Sequence, residues 1–342
     1  MSEQPIKHGD LELENADEYP TIFNPQTRRR RGLCPVTQNK LNPAESHQLY
    51  YEVHGSDDPD AEKIVFIMGL NGSCFGWSKQ INELAPAGKY QLLAFDNRAV
   101  GHSTGPRGPY STSGMAEDVI VLLDLLGWTR SRSLHLVGVS MGGIGARISL
   151  ELCDRIHDRI ASLTLAVTSR GYGPFWNLPS WKGIYTLMSF FTIKDSEKLI
   201  QSYLELVFPL NWLAETREGD ELKRTNRECE RDHMIERAKY SRKQDPFGAI
   251  SQMYAALGHS VSPARMEKID HNIPKISIVS GDEDYLVDIS CSVDLKKYLP
   301  SADYTVFKNT GHGLISQRPF KFNRLVEETV AEGAAKAGRK IN

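Results

Sequence analysis

Three parts of this 342-residue chain carry residue types that together do chemistry: Ser140, the carboxylate cluster Asp282-Glu283-Asp284, and His312. Ser140 is the centre of Gly138-Val139-Ser140-Met141-Gly142, and His312 stands between Gly311 and Gly313. A serine hydroxyl is a poor nucleophile at neutral pH. It needs a base within hydrogen-bond reach, and that base needs a carboxylate to orient it. The reaction class these residues propose is covalent acyl transfer through serine.

The Gly-x-Ser-x-Gly pattern alone is weak, since roughly one chain in ten of this length shows it by chance at ordinary glycine usage. A second match, Gly101-His102-Ser103-Thr104-Gly105, is present in the same chain. Context separates the two. Ser140 follows the apolar run Leu-His-Leu-Val-Gly-Val and precedes a helix-patterned stretch, the strand–turn–helix setting of a nucleophile elbow. Glycines at 138 and 142 suit a turn that tight, and the serine is expected in a strained conformation. Ser103 instead runs into Pro106-Arg107-Gly108-Pro109, where missing backbone donors leave no helix behind it.

The elements that must position these groups are read from periodicity. Apolar strands are expected at residues 48–54, 63–68, 91–95, 134–139, 163–167, 275–279 and 304–308, and helices at 77–84 and 115–126, the latter capped by Gly127. Strands alternating with helices imply a parallel sheet wound by right-handed crossovers. The carboxylate cluster and His312 each follow one of these strands, on the carboxyl side where open α/β sheets bind ligands. Between about 170 and 270 the strand rhythm stops and the chain becomes aromatic, charged and helix-patterned. The division that follows is 1–45 as an N-terminal arm and first-strand region, 46–169 with 271–342 as an α/β core, and 170–270 as an inserted helical cap. Arg28-Arg29-Arg30-Arg31 reads as part of a solvated arm, with ordered structure from about Gly32, in preference to a localisation or anionic-surface patch.

Bulk properties narrow the function classes. A formal charge of −2 and a pI near 6.6 give no electrostatic footprint for nucleic acid. Five scattered cysteines without Cys-x-x-Cys spacing read as reduced thiols, not a disulfide framework or zinc site. With no apolar signal segment and no long apolar span, the expectation is a cytosolic chain. No phosphate-binding glycine loop or metal-ligand spacing appears, so a cofactor-free mechanism is expected.

Taken together, the motifs resemble the α/β-hydrolase superfamily over about residues 48–328. Beside the elbow, 95–103 resembles the family's Asp-x-Arg-Gly-x-Gly-x-Ser segment, Gly281-Asp282-Glu283-Asp284 its acid loop, and Gly311-His312-Gly313 with Pro319-Phe320 its histidine loop, in the family order Ser…Asp…His. Ile67-Met68-Gly69-Leu70 with 115–128 is similar to a plant and fungal branch. The resemblance implies a mostly parallel eight-stranded sheet flanked by helices. It implies that Ser140 attacks, His312 is the base and Asp284 orients it, because the family places its acid three residues after the glycine; Asp282 is the rival and Asp288 a weaker one. The oxyanion hole would be the backbone N–H groups of Leu70 and Met141. Two positions depart from the pattern. Met68 replaces a frequent histidine, which backbone donors tolerate, and Ala99 replaces a glycine, which implies a slightly different turn. Asp96 and Arg98 are expected to form an ion pair beneath the site, and His102, His135 and His259 to be structural or exposed.

The aromatic start of the cap suggests an apolar pocket wall, with Phe175, Trp176 and Phe190 as the residues that reach substrate. It also fits peripheral contact with a membrane surface, although no basic amphipathic helix sits beside it. Residues 215–243 mix charge signs and read as a solvated helical face. The function expected is a serine hydrolase of a small apolar or lipid ester. The same triad serves acyltransferases and carbon–carbon bond hydrolases, and a non-catalytic ligand receptor is the alternative from another class.

Overall fold

A computed structural model describes residues 16–37, 46–140, 144–171, 183, 185, 193 and 195–339. Eight strands, β1 (Arg28–Thr37), β2 (His47–Gly55), β3 (Glu62–Ile67), β4 (Tyr90–Phe95), β5 (Leu134–Val139), β6 (Ile160–Ala166), β7 (Lys275–Gly281) and β8 (Asp303–Phe307), form one sheet in the order β1-β2-β4-β3-β5-β6-β7-β8. β2 pairs antiparallel with both β1 and β4, and the remaining pairs are parallel. This is the mostly parallel, eight-stranded α/β sheet expected.

The inner strands are apolar on both faces because helices cover both. Val65 and Ile67 of β3 join one core with α2 (Thr112–Leu125) and α3 (Ile144–Arg155), built around Met115, Val119, Leu122 and Ile148. Ile64 and Phe66 point the other way, to α1 (Ser78–Leu84) and a C-terminal helix (Pro319–Lys336) that brings Phe322, Val326 and Val330. α2 starts with Ser111 accepting from Gly114 N–H and stops before Gly127, whose φ of 73° only glycine adopts freely.

Between β6 and β7 the described residues form five helices, α4 (Ser196–Val207), α5 (Leu210–Ala214), α6 (Asn226–Tyr240), α7 (Pro246–Gly258) and α8 (Pro263–Asn272). A third apolar cluster joins Leu204, Val207, Phe208, Trp212 and Leu213 to Leu286 and Val287 in the loop after β7. After β7 come α9 (Ile289–Tyr298), α10 (Leu314–Gln317) and α11 (Pro319–Lys336). Among the described residues, no helix is long and apolar enough to cross a membrane.

Two expectations are corrected. The arginine run is not a solvated arm: Arg28 opens the edge strand β1, preceded by single turns at Ala16–Glu18 and Pro25–Thr27. Its side chains lie along aromatic rings of β2, with the Arg30 and Arg31 guanidinium groups 5.9 and 5.6 Å from the Tyr51 and Tyr50 ring centroids. Charged side chains on an edge strand also block further strand pairing. Arg98 pairs with Asp118, not Asp96: Arg98 Nη2 donates to Asp118 Oδ1 at 2.9 Å, and His47 Nε2 lies 3.0 Å from Asp118 Oδ2. Asp96 is instead fully buried and accepts N–H bonds from Cys74 (2.7 Å) and His102 (2.8 Å), tying down two loops. Burial raises its pKa to about 6. Ala99 takes a left-handed φ of 56°, a conformation that favours glycine, so this turn carries strain.

Candidate active site

Ser140 leaves the end of β5 with φ 76°, the strained left-handed conformation of a nucleophile elbow, and its N–H donates to Ala166 O at 2.9 Å. Glycine is required at 138, where a β-carbon would stand 2.6 Å from Ala146 Cα in α3. Gly145, which the sequence pattern did not single out, serves the same purpose: a β-carbon there would press on the backbone oxygens of Ile67 and Met68. Closely packed small residues thus let α3 begin directly behind the serine.

The partners arrive from the far side of the sheet. His312 Nε2 stands 2.7 Å from Ser140 Oγ, and its Nδ1 stands 2.8 Å from Asp284 Oδ2. The side chains of His312 and Asp284 are 8% and 2% exposed, so little water competes for these contacts. Asp284 Oδ1 accepts from the N–H groups of Leu286 (2.9 Å) and Val287 (2.8 Å), whose side chains are anchored in the third apolar cluster. The rivals are occupied elsewhere. Asp282 accepts from Thr310 N–H at 3.2 Å and faces Lys308, while Asp288 caps α9 by accepting from Ser290 N–H, and the Ser290 side chain, then this backbone bond, lower its pKa. The histidine loop is pinned by Gly313 N–H donating to Val207 O (2.7 Å) and Gly311 N–H donating to Gln317 Oε1 (2.9 Å).

The loop after β3 reaches the serine from the other flank, because β3 and β5 are neighbours with Ile67 opposite Gly138. Asn71 N–H donates to Gln252 Oε1 at 3.0 Å, and Gln252 Nε2 donates to Arg98 O at 2.6 Å. This buried glutamine of α7 bridges two site loops and carried no signal in the sequence. Asn97 Nδ2 also donates to Met68 O at 3.2 Å. Leu70 is therefore held in place beside Ser140; Met141, the other expected oxyanion donor, lies outside the described residues.

A cavity of about 480 Å³ opens above Ser140 and His312, with Leu70, Met68, Phe208 and Ile315 among its apolar walls. Phe175, Trp176 and Phe190, expected to line it, lie outside the described residues. Residues 215–243 are not only a solvated face: Glu230, Met234, Arg237, Ala238 and Ser241 form a helical stripe of α6 and the residue beyond it that lines the cavity. Of the three histidines set apart from the chemistry, His102, His135 and His259 are all buried. Among the described residues no group of three or more His, Cys, Asp or Glu is placed to hold a metal.

Sheet order, strained serine and its two partners are those of an α/β hydrolase, and the family model for the alpha/beta hydrolase fold matches residues 63–319. The chain belongs to this family. It is 27% identical over 284 residues to a Caulobacter segnis protein named "Putative carbamate hydrolase RutD", covering 80% of this chain and 93% of that protein. Among solved structures, the enol-lactonase of Burkholderia xenovorans LB400 is similar with a TM-score of 0.65 at 21% identity, covering 83% of this chain and 97% of that one. A thermophilic esterase from Thermogutta terrifontis has a TM-score of 0.65 at 15% identity, with 89% and 99% covered.

Proposed function

We propose that the protein is a serine hydrolase that cleaves carboxylic esters of small, largely apolar molecules through an acyl-enzyme on Ser140. The observation that carries this reading is the continuous Ser140–His312–Asp284 hydrogen-bond chain on the floor of an open cavity. Ser140 Oγ attacks the substrate carbonyl carbon while His312 Nε2 takes its proton. Asp284 holds the other ring nitrogen and stabilises the imidazolium that results. The oxyanion is received by backbone N–H groups, Leu70 from the β3 loop and Met141 from the chain just after the serine, each worth about 3 kcal/mol of barrier. Collapse expels the alcohol with the proton from His312. Water, deprotonated by the same nitrogen, then releases the acid.

The names of similar proteins support the reading in that esterase, enol-lactonase and carbamate hydrolase all describe cleavage at an acyl carbon. The helices between β6 and β7 act as a cap that sets specificity, since α4, α6 and α7 touch the loops around Ser140.

The test is covalent labelling with a fluorophosphonate probe. Adduct formation at Ser140 is expected, abolished in Ser140→Ala and strongly slowed in His312→Ala. Folded protein that takes no label overturns the proposal. A p-nitrophenyl ester chain-length series then sizes the cavity.

A further inference from the structure

Cleavage of a neutral ester leaves one wall of the cavity without a use. Glu230 of α6 is buried, its Oε1 accepting from Lys79 Nζ and from Arg217 Nη2, each at 2.7 Å. Arg237, two turns further along the same face, lines the same cavity. Among the described residues no acceptor or carboxylate meets its guanidinium, and its Nε is buried without a partner. Lys79 and Arg217 thus share one carboxylate, and Arg237 adds a positive charge near Lys79 that no salt bridge among the described residues meets. His233, on the same helix, does not balance or add to them. Burial, then the charges of Arg237 and Lys79, push its pKa down to about 4, so it is neutral at pH 7.

A half-buried guanidinium at a cavity wall, with its Nε buried and no carboxylate partner among the described residues, is poorly satisfied unless a ligand supplies the acceptor. Its planar fork matches a carboxylate in two parallel N–H···O bonds. Glu230 lines the same wall with its charge already met by Lys79 and Arg217, so the fork of Arg237 is left to choose the ligand. We propose that Arg237 binds a free carboxylate on the substrate, so that the substrate class is a monoanionic ester whose acyl or alcohol half carries that group. This rests on the serine-hydrolase reading for its turnover, but not for its binding.

The test therefore separates the two. In a Ser140→Ala background, which cannot turn over, mono-p-nitrophenyl glutarate and its methyl ester are titrated by calorimetry. The anionic ligand is expected to bind at least about tenfold more tightly, as charge-assisted bonds of this kind provide. Adding Arg237→Gln should bring the ratio to near one, and Arg237→Lys, which keeps a charge but not the fork, should lower it severalfold. Equal affinity for the two ligands in Ser140→Ala overturns the inference, as does a ratio that survives Arg237→Gln. Should the glutamine variant not fold, an unchanged ratio in Arg237→Lys overturns it equally. Turnover of the same two esters by the intact enzyme reports separately on hydrolysis.

Discussion

Gly69 and Ser140 approach so closely that a β-carbon on residue 69 would stand 2.7 Å from Ser140 Cβ and 3.3 Å from its Oγ. The approach follows from topology. β3 and β5 are adjacent and parallel, so their loops leave one sheet edge side by side, and the chain winds away in opposite directions from that point. Only a residue without a side chain lets this loop, which carries Leu70, pack directly against the serine.

Gly69→Ala should therefore push the loop away from Ser140. A loss of roughly 10²- to 10³-fold in kcat is expected, the cost of displacing one oxyanion donor. Overpacking should also lower stability by about 1–3 kcal/mol. Esterase kinetics and urea unfolding measure the two effects. An unchanged kcat would remove Leu70 from the oxyanion hole.

Asp284 and Asp282 share one loop but differ in what they touch. Asp284→Asn should lower kcat by about 10⁴-fold, because an amide favours the wrong imidazole tautomer. Asp282→Asn disturbs only the Thr310 and Lys308 contacts and should keep most activity. The opposite ranking in steady-state rates would transfer the orienting role to Asp282.

Ala99 holds a left-handed φ of 56° with its methyl directed at α7, where a β-carbon on Gly248 would lie 2.5 Å away. Gly248→Ala should destabilise the protein by about 1–3 kcal/mol through that clash. Ala99→Gly relieves both the clash and the backbone strain, so the double variant should recover most of the loss. A double-mutant cycle by urea unfolding is expected to show a coupling of roughly 1–2 kcal/mol. Simple additivity would mean that the two residues do not meet.

His233 predicts how stability depends on pH. Its folded pKa, about 4, lies below the ordinary value of 6.5, chiefly through burial and then through the Arg237 and Lys79 charges. The unfolded chain therefore binds the proton more readily. The stability contributed is fully present above about pH 6.5 and is lost as pH falls toward 4, on the order of 2 kcal/mol by pH 5. Unfolding free energies measured from pH 7 to pH 5 should slope downward, and His233→Gln should flatten that slope. Parallel profiles for the two proteins would discard the assignment.

The inner strands and both flanking helices were legible because each buries a continuous or periodic apolar pattern that needs no distant partner to be recognised. β1 was not legible. Four consecutive arginines give no apolar signal, and their place in the sheet depends on Tyr50 and Tyr51 of the neighbouring strand. Asp96 and Arg98 misled for a related reason. Close in sequence and opposite in charge, they face different environments once β4 has turned, and Arg98 finds Asp118 on α2 instead.

Local sequence determined the residue types of the chemistry: a serine in a turn that only glycines allow, and a carboxylate and a histidine each placed after a strand. Those features are short-range, set by backbone sterics and strand periodicity. Tertiary structure decided which carboxylate meets His312, how close Gly69 stands to the nucleophile, and that Gln252 and Arg237 belong to the site at all. Each of those depends on the distance between side chains far apart in the chain. Such distances are set by how the sheet is ordered and how the helices between β6 and β7 pack over it, and no local pattern encodes them.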